Sequence, residues 1–505
     1  MKSKYLLILS VILSFVFSSA DIFAASMAET YGFSAEGIGR GNAMAATVSD
    51  WSSVWYNMAG LGRTRDLTGK PAPKFGDADL KLKKPEPGQD AGKEKIYPSQ
   101  IAIGFMYTFP KLELNIQRFG QSGGSYVPLE TNAAKIDPYG YISLGAAVDL
   151  NVLFKMPDFI SSARLGVGLA INADGSMVKV YDVDPRTHDF LSYGREAQRA
   201  MILAGAGLGF LNDLMGAGVG VNLSFAGQGR VFLDAALTGN AQIPVGQSTM
   251  DLRFSPGALA GVYLSPGKLV SALDGLHIGG SYRMKTDLKI DPFDTAAAIL
   301  GGIIQMNLLL AIYDYYSPNA LTGGIAYSRW GVTLSYDITW EQWSEAGHSK
   351  MIKSNYIGIP KYRNVYAHKA GVKYDTPLSW LSVMMGYSYV PSYVPESATS
   401  ALGLKLSGSN ANQLIYGMYN FLDNDKHLAS LGLKFTIPQM WRLGGQVVII
   451  LSYQYQYLVP RSATKLGNVS LLNDPTNWLP AYLLNPGYSY GGTNHSAIIE
   501  VGMRI

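Results

Sequence analysis

Cysteine is absent from this sequence of 505 residues, and charged residues are scarce. Without cysteine the chain can form no disulfide, use no thiol nucleophile and offer no thiolate to a metal. Aspartate, glutamate, lysine and arginine make up 15% of the residues, against about 25% in typical soluble chains. The net charge of +4 is small for this length and gives no indication of a nucleic-acid partner.

Long apolar runs are also rare. One covers residues 5–17, follows Lys2 and Lys4, and is succeeded by small residues. This is the layout of a secretory signal peptide, and the run is shorter than the roughly 20 residues that a spanning helix needs. We therefore predict a signal peptide over residues 1–25, with cleavage somewhere between 20 and 28.

What the sequence does contain is a regular alternation of apolar and polar residues, with a period of two. In residues 276–290, Ile278 and Tyr282 fall on one face, whereas His277, Arg283 and Lys285 fall on the other. A strand sends successive side chains to opposite faces, so this segment predicts a strand with one apolar and one polar face. The same pattern recurs along the chain and predicts 14 to 16 strands, near 67–75, 99–109, 111–119, 140–152, 163–173, 197–210, 216–231, 249–263, 275–290, 319–329, 331–342, 362–374, 380–390, 428–437, 444–457 and 495–505.

A soluble β-sandwich also alternates, but the lengths favour a membrane barrel. Most segments have about ten residues, as a tilted bilayer-spanning strand requires. The 32 tyrosines and 8 tryptophans gather at the ends of apolar faces, where barrels carry aromatic girdles. We predict an all-β fold, a transmembrane antiparallel β-barrel over residues 66–505 in a bacterial outer membrane, with long outer loops at 70–97, 291–318, 343–361, 391–427 and 458–494.

Residues 26–65 precede the strands and are rich in glycine and alanine. Taken alone, they fit either a loose periplasmic tail or a plug inside the barrel. Residues 37–43 and 49–61 have Gly, Arg, Asp, Ser and Asn-x-Ala in the order and spacing of one known segment. They resemble the hatch of the FadL/TodX family, which are outer-membrane channels for long-chain fatty acids or aromatic hydrocarbons.

The C-terminal half resembles the same family at residues 362–366, 370–374 and 392–395. The resemblance implies a barrel of 14 strands, closed by an N-terminal hatch in its lumen and working as a monomer without a cofactor or metal. It assigns gating to Asn57, Met58 and Ala59. The family usually reads Asn-Pro-Ala there, so Met58 removes the rigidity that proline would give this turn.

Residues 295–313 form a second long uncharged run. Gly301 and Gly302 weaken a helix at its centre, and the run lies between predicted strands. We therefore predict an apolar helix in an outer loop rather than a membrane span. This helix either packs on its neighbours or forms the ligand-capturing groove that the resemblance implies, with groove residues Ile299, Leu300, Ile303, Ile304, Leu308, Leu309 and Leu310.

Basic residues on predicted lumen faces offer a site for a ligand carboxylate. Arg283, Lys369 and Lys434 are the candidates, and Lys285, Lys373 and Arg504 share their faces. A carboxylate site favours fatty acids over hydrocarbons. The alternative is that these cations pair with the lumen acids Asp287, Asp337, Glu341 and Glu500.

The sequence therefore predicts a passive channel for hydrophobic small molecules, with fatty acids favoured and aromatic or alkane hydrocarbons as the alternative. Its partners would be the ligand, outer-membrane lipid and lipopolysaccharide, and the assembly machinery. The proline-rich, basic residues 70–97 are either a solvated loop or a contact for lipopolysaccharide phosphates.

Two other classes of protein were weighed. A general diffusion porin would lack an N-terminal plug. An outer-membrane enzyme would need a catalytic constellation, but no histidine lies in an H-E-x-x-H spacing and no G-x-S-x-G occurs. His277 and Ser281 share a predicted lumen face, which leaves a Ser–His pair across the barrel strands open, and we assign no catalytic residue.

Overall fold

The structure is a computed structural model. It describes residues 25–63, 99–119, 126–130, 136–154, 156–157, 159–173, 189–190, 192–194, 198–232, 247–288, 293–299, 304–310, 315–346, 362–394, 403–405, 414–416, 421–437, 445–464 and 487–504. The predicted signal peptide falls almost wholly outside these ranges, and the predicted strand 67–75 and loop 70–97 fall wholly outside them.

One closed antiparallel sheet dominates the described residues. Of its 15 strands, Tyr126–Glu130 pairs only with the end of the first long strand, and the other 14 form the barrel. In chain order these are β1 Gln100–Phe119, β2 Tyr139–Asp149, β3 Ile160–Asn172, β4 Met201–Phe210, β5 Met215–Phe232, β6 Gln247–Leu264, β7 Leu276–Arg283, β8 Ala320–Arg329, β9 Val332–Glu341, β10 Val365–Asp375, β11 Leu381–Val390, β12 Lys426–Ile437, β13 Gln446–Thr464 and β14 Gly487–Arg504.

Each strand pairs with the next, and β14 pairs with β1 from Gln100–Arg504 to Ile116–Tyr488. Closure leaves no strand edge for lipid, which cannot hydrogen-bond a backbone. The predicted 14-stranded antiparallel barrel is confirmed.

Short elements fill the hatch and the connections. The α-helices are α1 Met27–Thr30, α2 Ala35–Gly39 and α3 Ser53–Tyr56. The 3-10 helices are Met58–Gly62, Leu150–Val152, Pro266–Lys268, Ser271–Leu273 and Trp343–Glu345. The remaining strands are Ala25–Ser26, Asp189–Phe190, Gln198–Arg199, Thr286–Leu288, Phe293–Ile299, Ile304–Leu310, Tyr315–Ser317, Gly403–Lys405, Leu414–Tyr416 and Phe421–Leu422. No helix in the described ranges is long and apolar enough to cross a membrane.

Side chains alternate across the wall as the sequence predicts. Along β8, Leu321 is 54% exposed and Ile325 is 48% exposed, whereas Thr322 between them is buried. On β7, Ile278 and Tyr282 face outward and His277 faces the lumen. An apolar outer face on a closed barrel matches a lipid bilayer, so the fold is that of an outer-membrane protein.

The two ends of the barrel differ. Trp330 (φ 52°) and Gly331 (φ 80°) form a two-residue hairpin turn between β8 and β9, a tight connection that requires positive φ at both residues. The start of β1 and the end of β14 lie at this same end. Short turns mark the periplasmic side of such barrels, and long connections mark the outer side.

The hatch lies inside the lumen and runs through it from one end to the other. Ala25–Ser26 pairs in parallel with Gln198–Arg199, next to the outer end of β4. At the other extreme, the Arg63 guanidinium stacks 4.1 Å from the ring centroid of Tyr263 near the periplasmic end of β6. The predicted plug is therefore confirmed, and the alternative of a loose periplasmic tail is wrong.

Predicted boundaries fail at two places on the outer side. Segments 99–109 and 111–119 are the single strand β1, which continues through Pro110. Pairing with β2 ends at Thr108, whereas Pro110 is still opposite Asn494 of β14. One side of β1 is therefore an edge at this position, and edges are where strands tolerate proline. The predicted loop 458–494 is too long, because β13 extends to Thr464 and β14 begins at Gly487.

The predicted helix over residues 295–313 is wrong. Phe293–Ile299 and Ile304–Leu310 pair as antiparallel strands, with Ile299 opposite Ile304. The glycine pair at 301–302, which disfavours a continuous helix, falls in the four residues between these strands. Those four residues lie outside the described ranges.

The predicted outer position of residues 70–97 stays a prediction. The described residues on either side of that segment, Arg63 and Ser99, both lie at the periplasmic end. The Ser99 hydroxyl accepts a hydrogen bond of 3.1 Å from the backbone N–H of Asp149, where β2 ends.

Candidate functional site

The hatch is held by polar groups of the wall. The Glu500 carboxylate accepts hydrogen bonds from the backbone N–H of Ala35 (2.8 Å) and from Trp51 Nε1 (3.2 Å). The Asp337 carboxylate accepts one from the backbone N–H of Ala45 (2.8 Å). Both acids are buried, and a buried carboxylate is stabilised when N–H groups point at it. These two predicted lumen acids therefore bind the hatch.

An arginine of the wall, Arg164, binds the periplasmic end of the hatch. The Arg164 guanidinium donates to the carbonyls of Leu61 (2.6 Å), Ser49 (2.9 Å) and Gly60 (3.1 Å), and also to that of Arg63. A short 3-10 helix leaves its last carbonyls without partners of its own. The arginine supplies these partners from outside the hatch.

A charged cluster joins the hatch to strands β10 and β12. The hatch carboxylate of Glu36 lies 2.7 Å from Lys434 Nζ, 3.8 Å from Lys373 Nζ and 3.6 Å from the Arg40 guanidinium. Burial raises the pKa of the nearby Asp50 carboxyl, and the Glu36 charge raises it further. Lys434, a predicted ligand residue, is thus bound to the hatch.

The predicted gating residues lie where the hatch meets β6. Asn57 Oδ1 accepts from the backbone N–H of Ala59 (3.1 Å), which caps the 3-10 helix that begins at Met58. Asn57 Nδ2 donates to the carbonyls of Ala45 (2.7 Å) and Val262 (2.9 Å). One amide therefore ties together two parts of the hatch and the wall, and its role in gating stays a prediction.

The wall uses glycine where the hatch backbone approaches most closely. A Cβ at Gly386 of β11 would lie 2.0 Å from the backbone nitrogen of Gly41. Gly41 itself has φ +59°, a conformation that glycine adopts without strain. No side chain fits at position 386 while the hatch is seated.

We therefore expect Gly386→Val to displace the hatch and to leave the barrel folded. The valine methyls would occupy backbone positions of the hatch, whereas the strand itself accepts valine well. Single-channel conductance for small ions should rise toward that of a variant lacking residues 29–60. Gly323→Val is the matched control, because a Cβ at Gly323 meets nothing within 4 Å. Equal conductance in the two valine variants, with both migrating as heat-modifiable barrels, would contradict this seating of the hatch.

Above the hatch lies a cavity of about 120 Å³. Its floor and sides come from the hatch, and the rest comes from the outer halves of the strands and their connections. The lining residues are Ala28, Glu29, Thr30, Asn42, Trp55, Tyr56, Ser192, Arg283, Tyr316, Pro318, Thr322, Asp337, Glu341, Trp343, Ala367, Lys369, Ser388, Val390, Pro391, Tyr393, Lys426 and Leu428.

Two predicted ligand residues meet in this cavity. The Arg283 guanidinium lies 3.9 Å from the ring centroid of Trp55, and Lys369 Nζ lies 3.2 Å from Thr339 Oγ1. Among the residues that the structure describes, neither cation forms an ion pair within 4.0 Å. Asp337 is directly across from Lys369 in the β9–β10 register, but its carboxylate accepts from the hatch.

Aromatic rings form the outer side of the cavity. Trp343 and Tyr393 stack with centroids 3.8 Å apart and planes 8° apart, and Tyr316 lies 6.0 Å from Trp343. Trp343 Nε1 donates to the Glu341 carboxylate at 2.9 Å. No pattern in the sequence predicts that these rings belong to the site. The sequence feature that points to Tyr393 is the segment 392–395. In the structure, Ser392 Oγ accepts hydrogen bonds from Arg461 Nη1 (2.7 Å) and from the backbone N–H of Val394 (3.2 Å) on either side of Tyr393.

The predicted groove residues are placed only in part. Ile299, Ile304, Leu308, Leu309 and Leu310 belong to the strand pair Phe293–Ile299 and Ile304–Leu310, in the connection between β7 and β8. Leu300 and Ile303 lie outside the described ranges. Lys285, another predicted lumen cation, pairs with Glu345 at 2.5 Å in the same outer region.

Comparisons with known proteins were made for sequence and for structure. No family model matches the chain, and no curated protein matches it. Solved structures are similar to it along nearly its whole length. A Pseudomonas aeruginosa FadL homologue has 12% identity and a TM-score of 0.48, and the match covers 96% of this chain and 99% of that one.

The toluene transporter TodX of P. putida has 11% identity and a TM-score of 0.43, with 94% of this chain and 99% of that one covered. The monoaromatic hydrocarbon channel CymD has 10% identity and a TM-score of 0.42, with coverages of 94% and 98%. The first two carry the names of the family that residues 37–61 resemble.

Proposed function

We propose that this barrel is a channel for the passive uptake of hydrophobic molecules that carry a carboxylate, with long-chain fatty acids as the first candidates. One observation carries the proposal. Arg283 and Lys369 face the same cavity without an ion-pair partner among the described residues, beside the aromatic rings of Trp55, Trp343 and Tyr393. A cation next to apolar walls suits an amphiphilic anion.

The physical need for such a channel follows from the membrane. Lipopolysaccharide excludes greasy solutes, and an open aqueous pore offers them no apolar surface. In this proposal the apolar strand pair between β7 and β8 captures the ligand by burying its hydrocarbon surface, which is favourable by about 25 cal/mol for each Å² removed from water. The carboxylate then meets Arg283 and Lys369, and displacement of the hatch opens the way onward.

Aromatic hydrocarbons are the second candidates, and the size of the cavity favours them. A cavity of about 120 Å³ is close to the roughly 150 Å³ of an apolar cavity that binds benzene. A single ring therefore fits within it, whereas the chain of a long fatty acid would extend out between the loops. The two cations would then serve only to hold Trp55 and Thr339 in place.

Lys369→Met separates the two candidates. Methionine keeps the length and apolar bulk of lysine and removes its charge. A carboxylate would lose a charge-assisted hydrogen bond worth about 1.5–3 kcal/mol. We expect oleate binding, measured by calorimetry on the purified barrel, to weaken by about ten- to a hundredfold while toluene binding stays the same.

Lys111→Met is the matched control, since Lys111 is exposed and lies outside the cavity. Parallel losses of oleate and toluene affinity at Lys369 would indicate a changed cavity shape. No loss for Lys369→Met or Arg283→Met would contradict the carboxylate site and leave the hydrocarbon candidate.

The capture step has its own test. Because the strand pair Phe293–Ile299 and Ile304–Leu310 follows the outer end of β7, we expect Gly301→Cys to react with a membrane-impermeant maleimide on intact cells. The chain has no other cysteine, so the label reports this position alone. Labelling only after rupture of the outer membrane would exclude capture from the outside.

A further inference from the structure

Three tyrosine–histidine pairs with the same geometry lie on the outer surface of the barrel. The Tyr336 hydroxyl is 2.7 Å from His368 Nδ1, the Tyr387 hydroxyl is 2.7 Å from His427 Nδ1, and the Tyr453 hydroxyl is 2.6 Å from His495 Nδ1. The tyrosines are 43–46% exposed. Of the four histidines that the structure describes, only His277 is outside this set, and it faces the lumen.

The repetition is built into strand register. Each histidine is followed after one residue by an alanine, at Ala370, Ala429 and Ala497. Those alanines are the residues directly opposite the three tyrosines in the β9–β10, β11–β12 and β13–β14 pairs. A small residue opposite a tyrosine leaves room for its ring to lean along the sheet, so that its hydroxyl reaches the histidine one step nearer the outer end.

The first two pairs lie in one row of the sheet, because Ala370 is opposite both Tyr336 and Tyr387. The third lies two residues further toward the periplasmic end, since Tyr453 is opposite Leu431 rather than Ala429. On β14, the outward residues on the periplasmic side of His495 are Ala497, Ile499 and Val501, all apolar. On β12, those beyond His427 are Ala429, Leu431 and Leu433. The pairs therefore lie at the depth where lipid head groups of the outer leaflet begin.

The hydrogen bond determines what each histidine presents to that layer. A tyrosine hydroxyl that donates to Nδ1 leaves the imidazole proton on Nε2, at the opposite edge of the ring. Among the described residues, Nε2 of these three histidines has no hydrogen-bond partner. In the tautomer in which each tyrosine hydroxyl donates to Nδ1, the hydroxyls are used by the histidines, and the three imidazoles offer N–H donors to the head groups.

We propose that strands β9–β14 form a docking surface for phosphate-bearing lipid head groups of the outer leaflet, recognised by the imidazole N–H groups of His368, His427 and His495. Phosphate oxygens are the strongest acceptors at this depth, and an imidazole N–H that meets one forms a charge-assisted hydrogen bond. The surface is on the outside of the wall, separate from the ligand cavity, so it serves to fix the barrel among particular lipids.

Native mass spectrometry of the intact barrel with added lipid A tests this. The wild-type protein should retain lipid A with both phosphates at least about fivefold more tightly than the same lipid after phosphatase treatment. The triple variant His368→Phe, His427→Phe and His495→Phe should lose that preference. Tyr336→Phe, Tyr387→Phe and Tyr453→Phe together should reduce it, because the imidazole is then no longer oriented.

The control is Tyr282→Phe with Tyr327→Phe, which alters two outward tyrosines that have no histidine partner, and it should keep the full preference. Heat-modifiability confirms that each variant is folded. An undiminished phosphate preference in the triple histidine variant would overturn the proposal. So would complete displacement of lipid A by inorganic phosphate at equal concentration, which would show binding of the phosphate group alone.

Discussion

The constraint on which this molecule depends is that a plug with little regular structure must satisfy its backbone polar groups inside a barrel. The three α-helices of the hatch have four or five residues each, too few to satisfy many of their own N–H and C=O groups. Most hatch residues are buried, so each unpaired group would cost about 1–3 kcal/mol. The wall therefore carries donors and acceptors at fixed heights, and Glu500, Asp337 and Arg164 each serve hatch groups.

This arrangement explains how the lumen can be polar without being an open pore. Several acids and bases that face inward contact the hatch, as the contacts of Glu36 with Lys434 and Lys373 illustrate. Among the described residues, Arg283 and Lys369 instead line the cavity above the hatch. The position of the plug thus decides which lumen charges hold the structure together and which remain for a ligand.

The sequence predicts the wall well because a strand exposed to lipid on one side and a wet lumen on the other must alternate at every residue. Thirteen predicted segments match single strands of the barrel, and the remaining strand, β1, covers two predicted segments on either side of Pro110. The hatch was predicted from the order of residues 37–61, since its glycines and alanines have no periodicity. Residues 295–313 were misassigned because an apolar run without charge does not distinguish helix from strand.

The cavity above the hatch was predicted only in part. Arg283 and Lys369 could be placed on lumen faces by counting along strands. Counting does not give the position of a residue along the barrel axis, and that position is what separates these two cations from Lys434. The rings of Trp343 and Tyr393 come from two different loops, and no local pattern predicts that such residues meet. The three Tyr–His pairs depend on register between strands, which sequence alone leaves open.

The most direct test of the carboxylate site is to locate a ligand in it. Crystals of the barrel grown with a fatty acid brominated at its second carbon give anomalous scattering that marks the carboxylate end. We expect the bromine peak inside the cavity, beside Arg283 and Lys369 and below the Trp343–Tyr393 stack. Bromine found only among the outer loops or on the lipid-facing wall, with the cavity empty at saturating ligand, would contradict the central claim.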